Sequence, residues 1–134
     1  MDDVSQGSVL VDLEVDEDGE FEVSFLTKVG HPVVLCHGPG EHSLCPLLAG
    51  QGCVKFDEAH GIVFELDLDR PQHRAIVEKY RDLAADMPIG VVVQAEQVER
   101  YVGLLADLEV WTRRPTAADL DGFAAEVEAA DRFS

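Results

Sequence analysis

Basic residues are scarce in this sequence. Lys and Arg number 10 against 27 Asp and Glu, which gives a formal net charge of −17 over 134 residues. Binding to DNA or RNA needs a cationic surface that pairs with phosphates, so direct nucleic-acid binding is an unfavourable interpretation. The same charge disfavours binding to an anionic membrane surface.

Long apolar runs and an export signal are also missing. The longest apolar runs, such as 90–93, span only a few residues, whereas a membrane-spanning helix needs about 20. The segment 1–5 has neither the cationic start nor the apolar stretch of a signal peptide. Hydrophobic residues make up 46% of the chain, a fraction typical of globular proteins. We therefore predict a cytoplasmic protein with no membrane association and one domain, 1–134.

Cysteines are few and odd in number. Cys36, Cys45 and Cys53 lie close together, with His37 and His42 between the first two. Without an export signal, a disulfide framework is disfavoured. Three alternatives stay open: reduced, partly buried thiols, a redox or disulfide role, and a zinc or iron–sulfur site. The sequence has no Cys-x-x-Cys pair, the spacing that would favour a metal most strongly.

Several motifs of enzymes are absent. No Gly-rich dinucleotide motif follows a predicted strand, and there is no GxxxxGK[ST] phosphate loop. The Gly-x-Ser-x-Gly motif of serine hydrolases is missing as well. No pair of nucleophile and base can be named, so we predict that the protein is not an enzyme.

The N-terminal part predicts a β-hairpin. Apolar and polar residues alternate over 8–15 and again over 20–27, on either side of the turn signal Asp18-Gly19. Period-two alternation around Asp-Gly is a strong hairpin signal. The rival is a helix over 17–29, which would have to include several poor helix formers. We predict the hairpin, as an N-terminal unit of residues 1–29, with one apolar face and one acidic, solvent-exposed face that includes Asp12.

From residue 30 to residue 134, strands and helices alternate. Thr116 has the pattern of an N-cap, with Asp119 three residues on as an acidic capping box. Alternation of this kind predicts crossover units, and hence a three-layer α/β fold with a mostly parallel sheet. The predicted strands are 33–36, 62–66, 89–93 and 109–112, the predicted helices are 43–49, 72–85, 95–107 and 117–131, and 53–60 is irregular or a short turn.

Polar residues follow these strands. The carboxyl ends of parallel strands meet at one edge of the sheet, and ligands of such folds bind there. The sequence therefore predicts a site at this edge. Its predicted members are His37, Asp67, Asp69, Gln94, Arg113 and Arg114.

The segment 62–71 resembles the third strand of response-regulator receiver domains. In that family an apolar strand ends in the phosphate-accepting Asp, and a Pro follows four residues later. Asp67 and Pro71 keep that interval. Pro88 opening an apolar strand and the segment 110–120 are similar to the fourth and fifth receiver strands with the last helix. The resemblance covers about residues 60–131 and implies a receiver-like, flavodoxin-like fold.

The resemblance also implies a phosphate-accepting role for Asp67, with Mg²⁺ held by an acidic pair after the first strand. Two assignments of that strand stay open. If it is 33–36, Cys36 and His37 replace the acids. If it is 9–13, Glu14 is one candidate acid and 30–34 resembles the second strand.

Two further positions depart from the receiver pattern. Gln94 stands where receivers carry a hydroxyl, and Arg114 stands at the Lys position. A guanidinium is not equivalent to an ammonium at a tight phosphate site. Because phosphoryl transfer to Asp depends on positioning and charge neutralisation, we predict poor phosphorylation or none.

The functional prediction is a stand-alone, atypical receiver-like signalling module. It would act by binding a regulatory protein partner, and a homodimer stays open. The alternative is a metal-binding or redox-sensing module built on Cys36, His37, His42, Cys45 and Cys53.

Overall fold

The computed structural model describes residues 8–13, 20–36, 50, 54–83, 87–113 and 115–133. Within these ranges the chain forms five strands and six helices. The strands are β1 (Ser8–Asp12), β2 (Val33–Cys36), β3 (Ala59–Phe64), β4 (Ile89–Val92) and β5 (Glu109–Trp111), and the helices are α1 (Glu20–Lys28), α2 (Val54–Asp57), α3 (Pro71–Leu83), α4 (Ala95–Arg100), α5 (Val102–Leu105) and α6 (Ala117–Phe133).

The described strands form one parallel sheet in the order β2-β1-β3-β4-β5. This is the flavodoxin-like order. β2 is added on one side of β1, and β3, β4 and β5 follow on the other side, so the strand order reverses between β1 and β3. β1 lies between β2 and β3, with Val11 opposite Leu35 on one side and Val63 on the other. The predicted α/β class with a parallel sheet is confirmed.

The predicted N-terminal hairpin is wrong. β1 pairs in parallel with β2 and β3, and Glu20–Lys28 is the helix α1. The alternation over 8–13 does not mark a wet face, because Leu10 and Val11 are both buried in a central strand covered on its two faces. The rival helix is the correct interpretation, since packing of Leu26 into the core outweighs the weak helix propensity of the segment.

α1 ends in a Schellman motif. The N–H of Gly30 donates to the carbonyl of Thr27 at 3.1 Å, and the N–H of His31 donates to the carbonyl of Leu26 at 2.8 Å. Gly30 has φ of 100°, the left-handed conformation that glycine adopts at this position. The chain then turns directly into β2, so the segment after α1 supplies a strand of the sheet.

Helices cover both faces of the sheet, as the three-layer prediction requires. One face carries α2, α3 and α5, with Phe64, Ile76 and Leu105 in its core. The other carries α1 and α6, with Leu26 and Val127 in its core. Each strand thereby buries alternate side chains on opposite faces.

Two details differ from the predicted elements. The segment 53–60 includes the short helix α2 and the start of β3 instead of being irregular. The predicted helix 95–107 is divided at Tyr101, where φ is −117° and ψ is 35°. The predicted helix 43–49 lies outside the described residues. None of the helices in the described ranges has the length and hydropathy needed to cross a bilayer.

The predicted capping box at the start of α6 is confirmed. The N–H of Asp119 donates to Thr116 Oγ1 at 3.2 Å, and the N–H of Thr116 donates to Asp119 Oδ2 at 2.9 Å. Arg113 also donates to Asp119 Oδ2 at 2.7 Å. The Thr116 hydrogen bond and then Arg113 hold the pKa of the Asp119 carboxyl below its usual value.

Replacing Thr116 by Ala is expected to lower the free energy of unfolding by about 1 kcal/mol, the typical value of an N-cap. Because the pKa of Asp119 is lowered in the fold, its contribution is present above pH about 4 and is lost as the pH falls through the folded pKa. Urea unfolding of the wild type, Thr116→Ala and Asp119→Ala at pH 7 and pH 3 checks both contributions. An Asp119→Ala difference that does not shrink at pH 3 would contradict the role of the ionised carboxylate.

Candidate functional site at the carboxyl edge of the sheet

Asp67 lies in the loop that joins β3 to α3, at the carboxyl edge of the sheet. Its side chain is exposed. Oδ1 accepts a hydrogen bond from the backbone N–H of Asp69 at 3.0 Å, which closes a local Asx-type turn. The same oxygen accepts a hydrogen bond from Gln97 Nε2 at 3.0 Å. Asp67 therefore connects its own loop to α4, the helix that follows the neighbouring strand β4.

Asp69 makes the second contact between this loop and α4. Arg100 donates to Asp69 Oδ1 at 2.6 Å, and the Tyr101 hydroxyl donates to the same oxygen at 2.7 Å. Both Asp69 and Arg100 are about half exposed. We name the two contacts, Asp67 with Gln97 and Asp69 with Arg100 and Tyr101, the loop–α4 clamp.

The clamp favours an ionised Asp69. The hydrogen bond from Tyr101, and after it the hydrogen bond from Arg100, lower the pKa of the Asp69 carboxyl below its usual value. The same contacts raise the pKa of Arg100. These contacts are complete at neutral pH and weaken as the pH falls below about 4, through the folded pKa of Asp69.

Arg74 of α3 contacts both the loop and Tyr101 of the loop–α4 clamp. From α3 it donates to the carbonyl of Leu68 at 2.9 Å and to the Tyr101 hydroxyl at 3.2 Å. The guanidinium groups of Arg74 and Arg100 lie 5.3 and 5.8 Å from the centre of the Tyr101 ring, within the range of cation–π attraction. Tyr101 thereby joins α3, α4 and the loop at the point where α4 ends.

His73 supports the backbone of the same loop. It is buried in the first turn of α3, and its Nδ1 lies 2.8 Å from the carbonyl oxygen of Asp67. The N–H of Arg70 also donates to that carbonyl, at 3.2 Å. The backbone of Asp67 is therefore held from within, while its carboxylate faces the edge.

Gln94 caps α4 at the end of β4. Its backbone N–H donates to Gln97 Oε1 at 3.1 Å, and its carbonyl accepts from the Gln97 N–H at 2.9 Å. The Gln97 amide thus accepts with its oxygen and donates to Asp67 with its nitrogen, which fixes its orientation. The Gln94 side chain itself is exposed.

Asp12 is a buried carboxyl at the end of β1 that the sequence analysis did not single out. It is 1% exposed, and its Oδ2 accepts a hydrogen bond of 2.6 Å from the Tyr80 hydroxyl of α3. The hairpin prediction placed Asp12 on a wet face, so its burial was missed. The signal was a carboxylate within the apolar run Val9–Leu13, next to a strand end.

The predicted edge residues divide into two groups. Asp67, Asp69 and Gln94 lie near one another around the start of α4, and Arg113 lies after β5 in contact with Asp119. Of the predicted Cys/His group, Cys36 is described, as a half-buried residue at the end of β2. The other predicted residues, Glu14, Arg114, His37, His42, Cys45 and Cys53, lie outside the described residues.

The described residues do not by themselves form a Mg²⁺ site. The carboxylate of Asp12, the acid at the end of β1, is buried and accepts a hydrogen bond from Tyr80. Within the described ranges no three His, Cys, Asp or Glu side chains are grouped as metal ligands. Mg²⁺ keeps several waters and takes one or two carboxylates, and Asp67 is the exposed carboxylate here that could supply one.

Sequence comparison alone assigns no relative. No family model matches this sequence, and no curated protein matches it.

Comparison with solved structures finds receiver domains with similar folds. A response-regulator receiver protein from Sinorhizobium medicae WSM419 matches with a TM-score of 0.63 at 16% identity, covering 92% of this chain and 95% of that chain. The apo receiver domain of nitrogen regulatory protein C matches with a TM-score of 0.64 at 14% identity, covering 97% and 98%. A CheY-like receiver domain protein from Methanospirillum hungatei JF-1 gives 0.62 at 15% identity, covering 95% and 98%.

These neighbours cover nearly the whole chain, including the N-terminal part that the sequence resemblance did not reach. The sheet order with β1 between β2 and β3 agrees with them. Of the two assignments of the first strand, the one that begins near residue 9 is therefore correct. The chain has the fold of response-regulator receiver domains, in a divergent form.

Proposed function

We propose that this protein is an atypical receiver-like regulatory module that acts by binding a partner protein and takes phosphate poorly or not at all. The observation that carries the proposal is the hydrogen bond of 3.0 Å between Gln97 Nε2 and Asp67 Oδ1. It couples the carboxylate at the phosphate-acceptor position to α4. Any ligand or modification that takes this oxygen must release Gln97 and so alters the helix.

Three contacts support poor phosphorylation. Asp67 Oδ1 already accepts two hydrogen bonds, so an acyl phosphate on this oxygen would have to displace them. The carboxylate of Asp12 is buried and accepts a hydrogen bond from Tyr80. Arg113 is paired with Asp119. Charge neutralisation and positioning are the main requirements of phosphoryl transfer, and the described residues offer little of either beside Asp67.

Treatment with acetyl phosphate and Mg²⁺, followed by intact-mass analysis, tests the phosphorylation part. We expect the mass of the unmodified protein, with the same result for the Asp67→Asn control. Stoichiometric addition of one phosphoryl group to the wild type, lost in Asp67→Asn, would contradict poor phosphorylation.

The regulatory coupling is tested separately by NMR amide shifts of Asp67→Asn. We expect shifts that extend from the loop into α4, at Gln97 and its neighbours. The reason is that Gln97 then faces a neutral amide instead of the carboxylate that accepts its hydrogen bond. Asp121→Asn, at an exposed position on α6, is the matched control and is expected to leave α4 unchanged. An α4 that does not respond to Asp67→Asn would contradict the coupling.

The Cys/His alternative has less support. Four of its five residues lie outside the described ranges, and Cys36 has no group of three metal-ligand side chains around it within them. The receiver fold favours a regulatory role, and the stand-alone arrangement and the homodimer remain predictions.

A further inference from the structure

A second surface lies at the opposite, amino end of the sheet. A cavity of about 800 Å³ opens there between the end of α3, the start of β4, the segment before β5, and α6. A smaller cleft of about 330 Å³ lies between α3 and α5. Arg81 lines both, so the two adjoin at this residue, and we name the pair the Arg81 groove.

Apolar residues line the groove, and exposed apolar residues lie next to its lining residues in the chain. Met87, Pro88 and Leu108 line the cavity. Leu83, next in the chain to the lining residue Asp82, is 57% exposed, and Val102, next to the lining residue Gly103, is 66% exposed, the two highest values among the large hydrophobic residues that the structure describes. Exposed apolar side chains beside a concave surface are typical of a protein interaction site.

The charge that faces the groove is acidic. Glu78 and Asp82 line the cleft, and Glu109 and Glu126 line the cavity. The cation among the described lining residues is Arg81, and its guanidinium is directed inward, donating to the carbonyls of Leu104, at 2.9 Å, and of Ala106. Those carbonyls accept hydrogen bonds from Nη1 of Arg81, which ties the guanidinium to the segment after α5.

Two of these acids repel each other. Burial, and then the neighbouring carboxylate of Glu109, raise the pKa of Glu126 above its usual value. A cation placed between them would favour the ionised form of both. The groove therefore accepts positive charge more readily than negative charge, and the chain as a whole carries a net charge of −17. A second copy of this chain, which carries the same net charge, is therefore a less favourable occupant of this groove than a basic segment.

We propose that the Arg81 groove docks a basic, apolar segment of a partner protein, with Lys or Arg side chains at Glu109 and Glu126 and apolar side chains on Met87, Leu83 and Val102. The proposal extends the proposed function, since it names the surface and the chemistry of the partner. The groove is remote from Asp67, so it provides a binding site that does not depend on phosphorylation.

The probe is a fluorescently labelled 18-residue helical peptide of Leu and Lys with Leu on one face, measured by anisotropy. Its control is a peptide of the same composition in scrambled order, which removes the apolar face and keeps the charge. We expect the amphipathic peptide to bind more tightly than the scrambled one, with NMR amide shifts centred on 78–83 and 102–109.

Two matched pairs of variants separate the groove from general charge and hydrophobicity. Glu109→Gln/Glu126→Gln is compared with Glu96→Gln/Glu99→Gln on α4, which changes the net charge equally. We expect a loss of about tenfold in affinity for the first pair and less than about twofold for the second. The same measurement compares the peptide affinity of Leu83→Ser/Val102→Ser with that of Phe21→Ser/Val29→Ser, which changes exposed apolar residues on the α1 side. Circular dichroism checks that each variant is folded.

Equal losses in the matched variants, or amide shifts spread over the whole surface, would overturn the proposal. So would a concentration-dependent dimer of the free chain that is lost in Leu83→Ser/Val102→Ser, since it would assign the groove to a second copy. None of these outcomes depends on Asp67 or on its coupling to α4, so a failure here is distinguishable from a failure of the proposed function.

Discussion

Replacing Trp111 by Ala is expected to lower the free energy of unfolding by about 3–5 kcal/mol, the range of large-to-small changes at buried aromatics. Trp111 is 6% exposed at the end of β5, and its ring meets Phe123 of α6 edge to face at a centroid distance of 5.9 Å. The indole also lies over Gly90, where a Cβ would come within 2.5 Å of its ring atoms. Trp111 is therefore a core residue that joins β4, β5 and α6.

The close approach to Gly90 supplies an internal control. Gly90→Val alone is expected to cost about 1–3 kcal/mol because it overpacks the core against the indole. In the Trp111→Ala background the same change fills part of the vacated volume, so its cost is expected to fall or change sign. Urea unfolding of the four proteins measures this. Equal costs of Gly90→Val in both backgrounds would contradict the contact.

Replacing Tyr80 by Phe is expected to lower the free energy of unfolding by about 1–3 kcal/mol, the cost of removing one partner from a buried polar group. The Tyr80 hydroxyl donates to Asp12 Oδ2 at 2.6 Å, and both residues are nearly fully buried. The ring itself stacks on Phe56 at a centroid distance of 5.4 Å and is kept in Phe. The effect therefore reports the hydroxyl and not the packing.

The control for Tyr80 is Asp12→Ala. In that background the hydroxyl of Tyr80 no longer has the Asp12 carboxylate to donate to, so Tyr80→Phe is expected to be nearly neutral. Urea unfolding of the single and double variants gives the coupling. A Tyr80→Phe cost that is unchanged in the Asp12→Ala background would show that the hydroxyl stabilises the fold through another contact.

The sheet was predictable wherever strands are buried on both faces. The apolar runs of β3 and β4 and the amphipathic pattern of α3 predicted their elements within a few residues. The pattern of β1 was misread, because alternation within a strand does not tell a central strand from a hairpin arm. A hairpin that includes β1 requires 20–27 as its partner strand, whereas the structure has the helix α1 there.

The edge site was predictable in part. Asp67, Asp69 and Gln94 followed from the rule that parallel strands end at one edge. Their partners were missed, because the contacts of Gln97, Arg100 and Tyr101 depend on how α4 packs against the loop after β3. Residues 97, 100 and 101 are spaced i, i+3, i+4, which places them on one face of a helix. A polar stripe of that kind was the available signal.

The central claim of this account is that the carboxylates of the loop between β3 and α3 hold α4 across the edge of the sheet. Amide hydrogen exchange of α4 in Asp69→Asn, with Asp107→Asn as an exposed control, tests it most directly. The account predicts faster exchange over 97–101 in Asp69→Asn, because Arg100 and Tyr101 lose the carboxylate that both contact. Exchange in α4 that equals that of the wild type and of Asp107→Asn would contradict the claim.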